Sequence, residues 1–138
     1  MADTYGAVHR ALYAKLTTAL SPLSCPVLDS APLNQPMPYA KFGQHTADPD
    51  DTFRDTYTVH RIVLLFFTGP NAGSSGAVRG KAQCRLIVEA ARNALHHVKL
   101  ALDAGTSVRC QVERINIDDG PDVVTAEGSM IVRVDVAE

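Results

Sequence analysis

The sequence predicts an α+β fold: an antiparallel sheet of about four strands with two helices packed on one face. Three observations lead to this prediction. A run of β-branched, aromatic and leucine residues at 56–68 is followed by a glycine-rich loop at 69–80 and an amphipathic helix at 81–98. A second amphipathic pattern opens the chain. Two alternating apolar stretches near the end of the chain are separated by a strong turn signal, which favours a hairpin.

Length and composition favour one globular domain over residues 1–138. Hydrophobic residues make up 46% and charged residues 20% of the chain, which is ordinary globular usage. A formal net charge of −2, with only four tyrosines and four phenylalanines, disfavours a nucleic-acid-binding regulator. No apolar run is long enough to span a membrane, and the start of the chain lacks the pattern of a secretory signal.

The three cysteines, Cys25, Cys84 and Cys110, form no close pair in the sequence. An odd number of cysteines without a secretory signal favours reduced thiols and synthesis in the cytosol. We expect all three to act as small buried hydrophobic residues.

The N-terminal stretch 3–20 has the apolar pattern of a helix. Its apolar residues recur at three- and four-residue steps: Tyr5, Val8, Leu12, Leu16 and Ala19. Asp3 or Thr4 can cap the free N–H groups at its start. Pro22 ends the helix, because proline cannot continue the backbone hydrogen-bond ladder.

A proline-rich segment, a short strand and an acidic loop are predicted next. The prolines of 23–38 would remove ladder donors from a central strand, which leaves at most a short edge strand around 27–28. Residues 39–44 are predicted to form a short strand in which Gly43 marks a bulge or a close backbone approach. Residues 46–55 contain four aspartates and little apolar surface, which predicts an exposed loop.

The central strand and the helix after it carry most of the predicted core. After Arg61 the strand has apolar residues on both faces. We therefore expect one face to pack against the helices and the other face to be covered by something else, such as a partner chain. The helix has one apolar stripe, formed by Cys84, Ile87, Val88, Ala91, Leu95 and Val98.

The last two strands are predicted to pair as an antiparallel hairpin. Residues 108–118 alternate in polarity, and the alternation shifts near Arg114, which indicates a bulge or a change of face. The turn signal DDGPD occupies 118–122, and 123–136 returns as the final strand.

Motifs of catalytic and cofactor sites are incomplete. A phosphate-binding loop before the long helix would need glycine at Ser75 and a hydroxyl at Ala82. A nucleophile elbow around Ser75 would need glycine at Ala77. We therefore expect no catalytic residues and no cofactor. A small-ligand-binding or enzymatic α+β domain remains an alternative that would require a pocket with convergent polar groups.

The histidines and aspartates do not predict a metal site. His96 and His97 are adjacent, and side chains of adjacent residues on a helix point about 100° apart. The other histidines, His9, His45 and His60, show no ligand spacing. The acidic loop lacks the glycine and the closing glutamate of a calcium-binding loop.

Opposite charges lie in separate parts of the chain. The acidic group occupies the loop and the turn: Asp48, Asp50, Asp51, Asp55, Asp118 and Asp119. The basic group precedes or lies on the long helix: Arg79, Lys81, Arg85 and Arg92. This separation suits a head-to-tail contact between copies of the chain, so these residues are the candidate interface. Ordinary mixed surface charge explains the same pattern equally well.

The order of elements resembles the tail-completion, or tail-terminator, family of long-tailed bacteriophages and gene transfer agents. The segments that carry this resemblance are "ALYAKLTTAL" (11–20), "PMPYAKFG" (36–43), "YTVHRIVLLFF" (57–67), "AQCRLIVEAARNALHH" (82–97) and "VRCQVERINIDDGPDVVTAEGSMIVRVDV" (108–136). They span almost the whole chain, and none of them is a catalytic signature.

The resemblance implies a structural virion protein without catalytic residues, cofactor or membrane contact. Members form a homo-oligomeric, usually hexameric ring on the head-proximal end of the tail tube. The ring stops growth of the tube, contacts the tail tube protein and a head-completion (stopper) protein, and lets DNA pass without specific binding. The protein is made in the host cytoplasm and resides in the virion. A head–tail joining protein or a minor tail protein of the same particle is the alternative.

Overall fold

Two helices and five strands make up the part of the chain that the computed structural model describes, residues 4–23, 25–29, 38–49, 57–69, 80–100, 102, 106–119 and 126–137. The helices are α1 (Thr4–Leu20), followed by a 3-10 turn (Ser21–Leu23), and α2 (Gly80–Leu95). The strands are β1 (Val27–Leu28), β2 (Tyr39–Pro49), β3 (Tyr57–Thr68), β4 (Thr106–Asp119) and β5 (Ala126–Ala137). The α+β class is confirmed.

The strands form one mixed sheet in the order β1-β2-β3-β5-β4. The prediction of about four antiparallel strands is corrected, because β1 is a fifth strand and pairs with β2 in parallel. Pro26 cannot donate to the ladder, but its carbonyl accepts a 2.9 Å hydrogen bond from the N–H of Ala40. A strand of two residues has no periodicity that could reveal its partner or its direction.

Both helices pack on the same face of the sheet and bury one contiguous core. Its main members are Val8, Leu12, Leu16 and Leu20 from α1, Ile62, Leu64 and Phe66 from β3, Cys84, Ile87, Ala91 and Leu95 from α2, and Met130, Val132, Val134 and Val136 from β5. Three residues assigned to the helical stripes lie outside this core: Tyr5 is 48% exposed, Ala19 is half-buried, and Val98 is half-buried beyond the end of α2.

Gly128 lets α2 approach the sheet closely. A Cβ atom at this position would lie 2.9 Å from the Sγ of Cys84 and 3.2 Å from the Cγ2 of Val88. Because β5 otherwise carries bulky side chains toward the helix, the missing side chain makes room for one turn of α2. Glycine is favoured at this position because there is no space for a side chain between β5 and α2.

The predicted acidic loop is partly strand. β2 continues to Pro49, with a register shift between Phe42 and His45 that confirms the irregularity expected at Gly43. The loop prediction is therefore wrong for 46–49, and 50–55 lies outside the described residues. Beyond Lys41, β2 pairs with a strand on one side only, among the residues that the structure describes. An edge strand of this kind tolerates aspartate and proline, which is why composition alone was misleading.

The predicted long central helix ends earlier than expected. α2 has 16 residues, one fewer than the 17 of α1, and stops at Leu95 instead of continuing to Val98. His97 adopts a left-handed backbone with φ of 60°, and its N–H donates to the carbonyl of Cys110 at 2.8 Å. A left-handed residue directly after a helix terminates it, and histidine is one of the few non-glycine residues found there.

The predicted C-terminal hairpin is confirmed, but the turn prediction is wrong for Asp118 and Asp119, which belong to β4 and pair with β5. β4 and β5 pair antiparallel, with a register shift between Val112 and Arg114 where the bulge was expected. The turn segment 120–125 lies outside the described residues. All three cysteines are free and buried, as predicted. Among the described residues, no helix has the length and apolar character needed to cross a membrane.

Candidate subunit interface

The face of the sheet opposite α1 and α2, here called the open face, carries the second set of apolar residues on β3. Ile62, Leu64 and Phe66 point toward the helices and are at most 1% exposed. The alternate residues of the same strand remain partly exposed: Val63, Leu65 and Phe67. The two-sided strand predicted from the sequence is thus present. The described residues include no helix or strand that packs over its second side.

One half of the open face is apolar. We call this half the apolar patch; it consists of Tyr39, Val63, Leu65, Phe67 and Ile131. The rings of Tyr39 and Phe67 stack with centroids 5.0 Å apart. The Nζ of Lys41 lies 5.7 Å from the Phe67 centroid, at the rim of the patch. Stacked rings and a cation over an aromatic face give the patch a defined shape.

The other half of the open face is charged, and several of its charges are paired within the chain. Arg61 lies between Asp48, at 3.7 Å, and Glu113, at 3.5 Å. Arg133 pairs with Asp135 at 2.8 Å. Such partly exposed pairs stabilise a fold by about 1 kcal/mol or less. Asp48, a candidate interface residue, therefore already has a partner in its own subunit.

An acidic pair borders the apolar patch. Asp118 of β4 and Glu127 of β5 are direct cross-strand neighbours, and both are exposed. Glu127 also pairs in register with Phe67 of the patch. Like charges directly opposite one another on a sheet are unfavourable. Within the described part of the chain, neither carboxylate forms an ion pair, and the two place acidic groups at this end of the open face.

The outward face of α2 lies on the opposite side of the molecule from the open face. It carries Arg85, Leu86, Glu89 and Arg92, all exposed. Leu86, with 55% of its surface accessible, is the most exposed large hydrophobic side chain among the described residues. Arg85 and Arg92 are seven positions, or about two turns, apart and so share one side of the helix. The outward face thus carries two arginines on one side of an exposed leucine.

The structure places the candidate interface residues on two separate surfaces. Arg85 and Arg92 lie on α2, whereas Asp48 and Asp118 lie on the open face. Lys81 and Asp119 belong to α2 and β4, but the structure does not describe their side chains. The remaining candidates, Asp50, Asp51, Asp55 and Arg79, lie outside the described residues. Contact of these residues with a neighbouring subunit stays a prediction.

A histidine cluster beneath α1 was missed by the sequence analysis. His45 Nε2 and His60 Nδ1 are hydrogen-bonded at 2.8 Å, and the ring of Tyr5 lies 4.5 Å from the first imidazole and 5.2 Å from the second. Burial, reinforced by His60 and His9, lowers the pKa of His45 to about 4. The pairing of β2 with β3 would have revealed the cluster, but the loop interpretation of 46–55 concealed that pairing.

The histidine cluster attaches the start of α1 to the sheet. His9 reaches Asp29 at 3.2 Å, and its ring lies 4.3 Å from that of Phe42. Among the described residues, no group of three or more histidine, cysteine, aspartate or glutamate side chains could hold a metal ion. The arrangement suits a neutral His45 imidazole packed against the ring of Tyr5.

A surface groove between the two helices does not resemble a ligand site. It lies between α1 and α2, has a volume of about 440 Å³, and is lined by Ala11, Ala14, Lys15, Thr18, Ala19 and Ala94. The hydroxyl of Thr18 already donates to the carbonyl of Ala14 at 3.1 Å. One lysine among alanines is not the convergent polar set that a small-ligand site requires.

Comparison with known proteins supplies a family and a fold. The family model described as "Tail completion protein gp17" matches residues 6–136. Among solved structures, a chain of the "Virion of native gene transfer agent (GTA) particle" has a TM-score of 0.74 and 19% sequence identity, covering 99% of this chain and 98% of that chain. At this identity the second similarity concerns the fold. No curated protein sequence matches significantly.

Proposed function

We propose that this chain, which belongs to the tail completion protein gp17 family, forms a ring. The ring would end the tail tube and join it to the head-completion proteins. Membership makes the chain a structural protein of a phage-type virion tail and not an enzyme. The ring and its position between tube and head are the proposal.

The half-covered strand β3 supports an assembled role. Val63, Leu65 and Phe67 would lose contact with water if a neighbour covered the open face. A second, different surface is available on the outward face of α2. Two different surfaces that bind each other produce a head-to-tail contact, and repeated head-to-tail contacts close into a ring when the rotation per copy divides a full turn. The open face is the observation on which this proposal mainly depends.

The proposed neighbours follow from the position of such a ring. The tail tube protein would bind on one side of it and a head-completion, or stopper, protein on the other. A head–tail joining role or a minor tail role would use the same surfaces with different neighbours. These roles differ in the tails that form when the chain is missing.

Passage of DNA through the ring agrees with the charge of the chain. The formal net charge is −2, so a wall built from these subunits has no excess of cations to hold phosphates. We propose that DNA slides through the ring without specific binding. An assembled ring whose channel is lined by Arg79, Lys81 and Arg85 would contradict this part of the proposal.

The function is tested by producing particles from a genome that lacks this chain and measuring tail length by electron microscopy. Overlong tubes without heads are expected, and wild-type chain supplied in trans should restore normal tails. Tubes of normal length without heads would favour the joining role. Normal tails attached to full heads would rule out both roles.

A further inference from the structure

The two separate surfaces of this domain fit one another. We propose that, within the ring, the open face of one copy receives the outward face of α2 from the next copy. This inference rests on the ring proposed above and adds which surfaces form its subunit contact. The occupant of the open face is therefore a second copy of this chain.

Apolar complementarity is the first argument. The apolar patch presents partly exposed side chains in the middle strands of a sheet, where the neighbouring strands leave a broad and fairly flat surface. Leu86 projects from α2 with 55% of its surface accessible. Seating Leu86 between Leu65 and Phe67 removes apolar surface from water on both copies. Neither surface can be covered by the other within one chain, because they face opposite ways.

Charge complementarity is the second argument. Glu127 is the register neighbour of Phe67, so the carboxylates of Asp118 and Glu127 lie directly beside the patch. Arg85 precedes Leu86 on α2. Arg85 points about 100° around the helix from Leu86. With a neighbour's Leu86 on Phe67, the neighbour's Arg85 lies at the edge of the contact, where its long side chain can reach the two carboxylates.

The remaining charges of the two surfaces agree with this docking. Lys41 stands on the β2 side of Phe67, with its Nζ 5.7 Å from that ring, and the acidic pair stands on the β5 side. Glu89 lies between Arg85 and Arg92 on the helix. The helix thus alternates basic, acidic, basic, opposite a surface that is acidic at one end and basic at the other.

Arg61 and Arg133, in the charged half of the open face, already have carboxylate partners and do not oppose the contact. Arg114, the exposed register neighbour of Ile131, adds a positive charge beside the patch on that side.

The alternative contact, open face against open face, does not build a ring. Such a contact uses the same surface on both copies and closes after two subunits. It would leave Leu86 and the arginines of α2 without a partner. When the open face of one copy binds α2 of the next, the growing chain of copies always has one free open face and one free α2 surface at its two ends. Growth to a closed ring requires these two free ends.

Cross-linking between introduced cysteines tests the contact in assembled particles. All three native cysteines are buried, and burial raises the pKa of Cys25 and Cys110 to about 12, so they react slowly with maleimides. Particles carrying the double variant Leu65→Cys/Leu86→Cys are treated with a short bismaleimide and separated on a denaturing gel. A ladder of multimers is expected, while either single variant should remain mainly monomeric.

A matched control pairs Leu65→Cys with Tyr13→Cys. Tyr13 is 44% exposed on α1, on the helix side of the molecule but away from the proposed contact. This pair should give no ladder, and a ladder as strong as that of the test pair would overturn the assignment. If Leu65→Cys does not enter particles, Lys41→Cys at the rim of the patch takes its place with the same expected results.

Microscopy of the same particles separates failure of this contact from failure of the proposed function. Rings at the tail end without a cross-linked ladder would overturn the contact and leave the function standing. Wild-type particles that contain the chain but no ring would overturn the function itself. A reconstruction in which the open face lines the DNA channel, or binds the tube protein, would assign the patch to that occupant and overturn the inference.

Discussion

The described helices cover one face of the sheet and leave the other uncovered, and β3 shows this difference within one strand. Its residues Ile62, Leu64 and Phe66 are enclosed by the helices, while Val63, Leu65 and Phe67 alternate with them and stay partly exposed. The helix-covered face therefore accounts for the stability of the subunit. The open face exposes apolar side chains that folding of the single chain does not require. Contact with another chain explains these exposed side chains better than folding does.

Truncating one ring on each face should give the largest difference. Phe66→Ala leaves a cavity in the core, so we expect it to lower the free energy of unfolding by about 3–5 kcal/mol. Phe67→Ala removes a partly exposed ring and should cost about 1 kcal/mol or less in the isolated subunit. Urea denaturation of both variants measures the difference. Equal losses would mean that the open face is as important for folding as the covered face.

Adding one methyl group under α2 should give the next largest effect. In Gly128→Ala the new Cβ would meet Cys84 Sγ at 2.9 Å, so we expect a loss of roughly 1–3 kcal/mol in unfolding free energy. Ser129→Ala, one residue along on the open face, should stay within about 0.5 kcal/mol of wild type.

A double-mutant cycle identifies the cause of that loss. Combining Gly128→Ala with Cys84→Ala removes the sulfur atom that the new methyl group meets, and should recover part of the stability lost by the first change. Strict additivity of the two changes would contradict a steric origin.

Acid should weaken the helix-covered face through His45. Its folded pKa is about 4 against an ordinary value of 6.5, so the unfolded chain binds the proton more readily between these values. Stability should therefore fall as the pH drops from 6.5 toward 4, with no contribution from His45 above that window. His45→Gln should make this fall shallower in thermal unfolding measured across the same range. An unchanged slope would remove His45 as its source.

Reversing charge on α2 should have the smallest effect on the subunit and a selective effect on assembly. Arg85→Glu and Arg92→Glu alter exposed side chains, so unfolding free energies should stay within about 0.5 kcal/mol of wild type. Ring formation should weaken most in Arg85→Glu, because its changed side chain would face the acidic pair of the next copy. Arg92 lies about two helical turns away, so its reversal should weaken rings less. Adding Glu127→Arg to Arg85→Glu should restore rings, as counted by electron microscopy. Normal ring numbers in both single variants would remove the helix from the contact.

Long periodic patterns were predicted well because they reflect burial directly. The alternation of β5 around Met130 and the helical spacing from Val8 to Leu16 each repeat over several turns or pleats, and each is found in the structure. Short or non-local features left no such pattern. The two residues of β1 are too few to show a period, and the end of α2 depends on a contact between His97 and the distant Cys110.

The candidate surfaces were predicted only in part. The two-sided character of β3 and the basic character of α2 could be recognised from the sequence, since both concern neighbouring residues. The cross-strand pair of Asp118 with Glu127 and the bond between His45 and His60 depend on register, which the loop and turn interpretations did not supply. Residues brought together by sheet pairing are the ones that the sequence analysis missed.

The central claim is that copies of this chain form a ring at the head-proximal end of the tail tube. The most direct measurement is electron cryomicroscopy of intact particles, with the fold described above fitted to the density between tube and head. The account predicts one closed ring of this fold at that junction. Density for the chain along the tube or at the distal tip, with none at the junction, would contradict it.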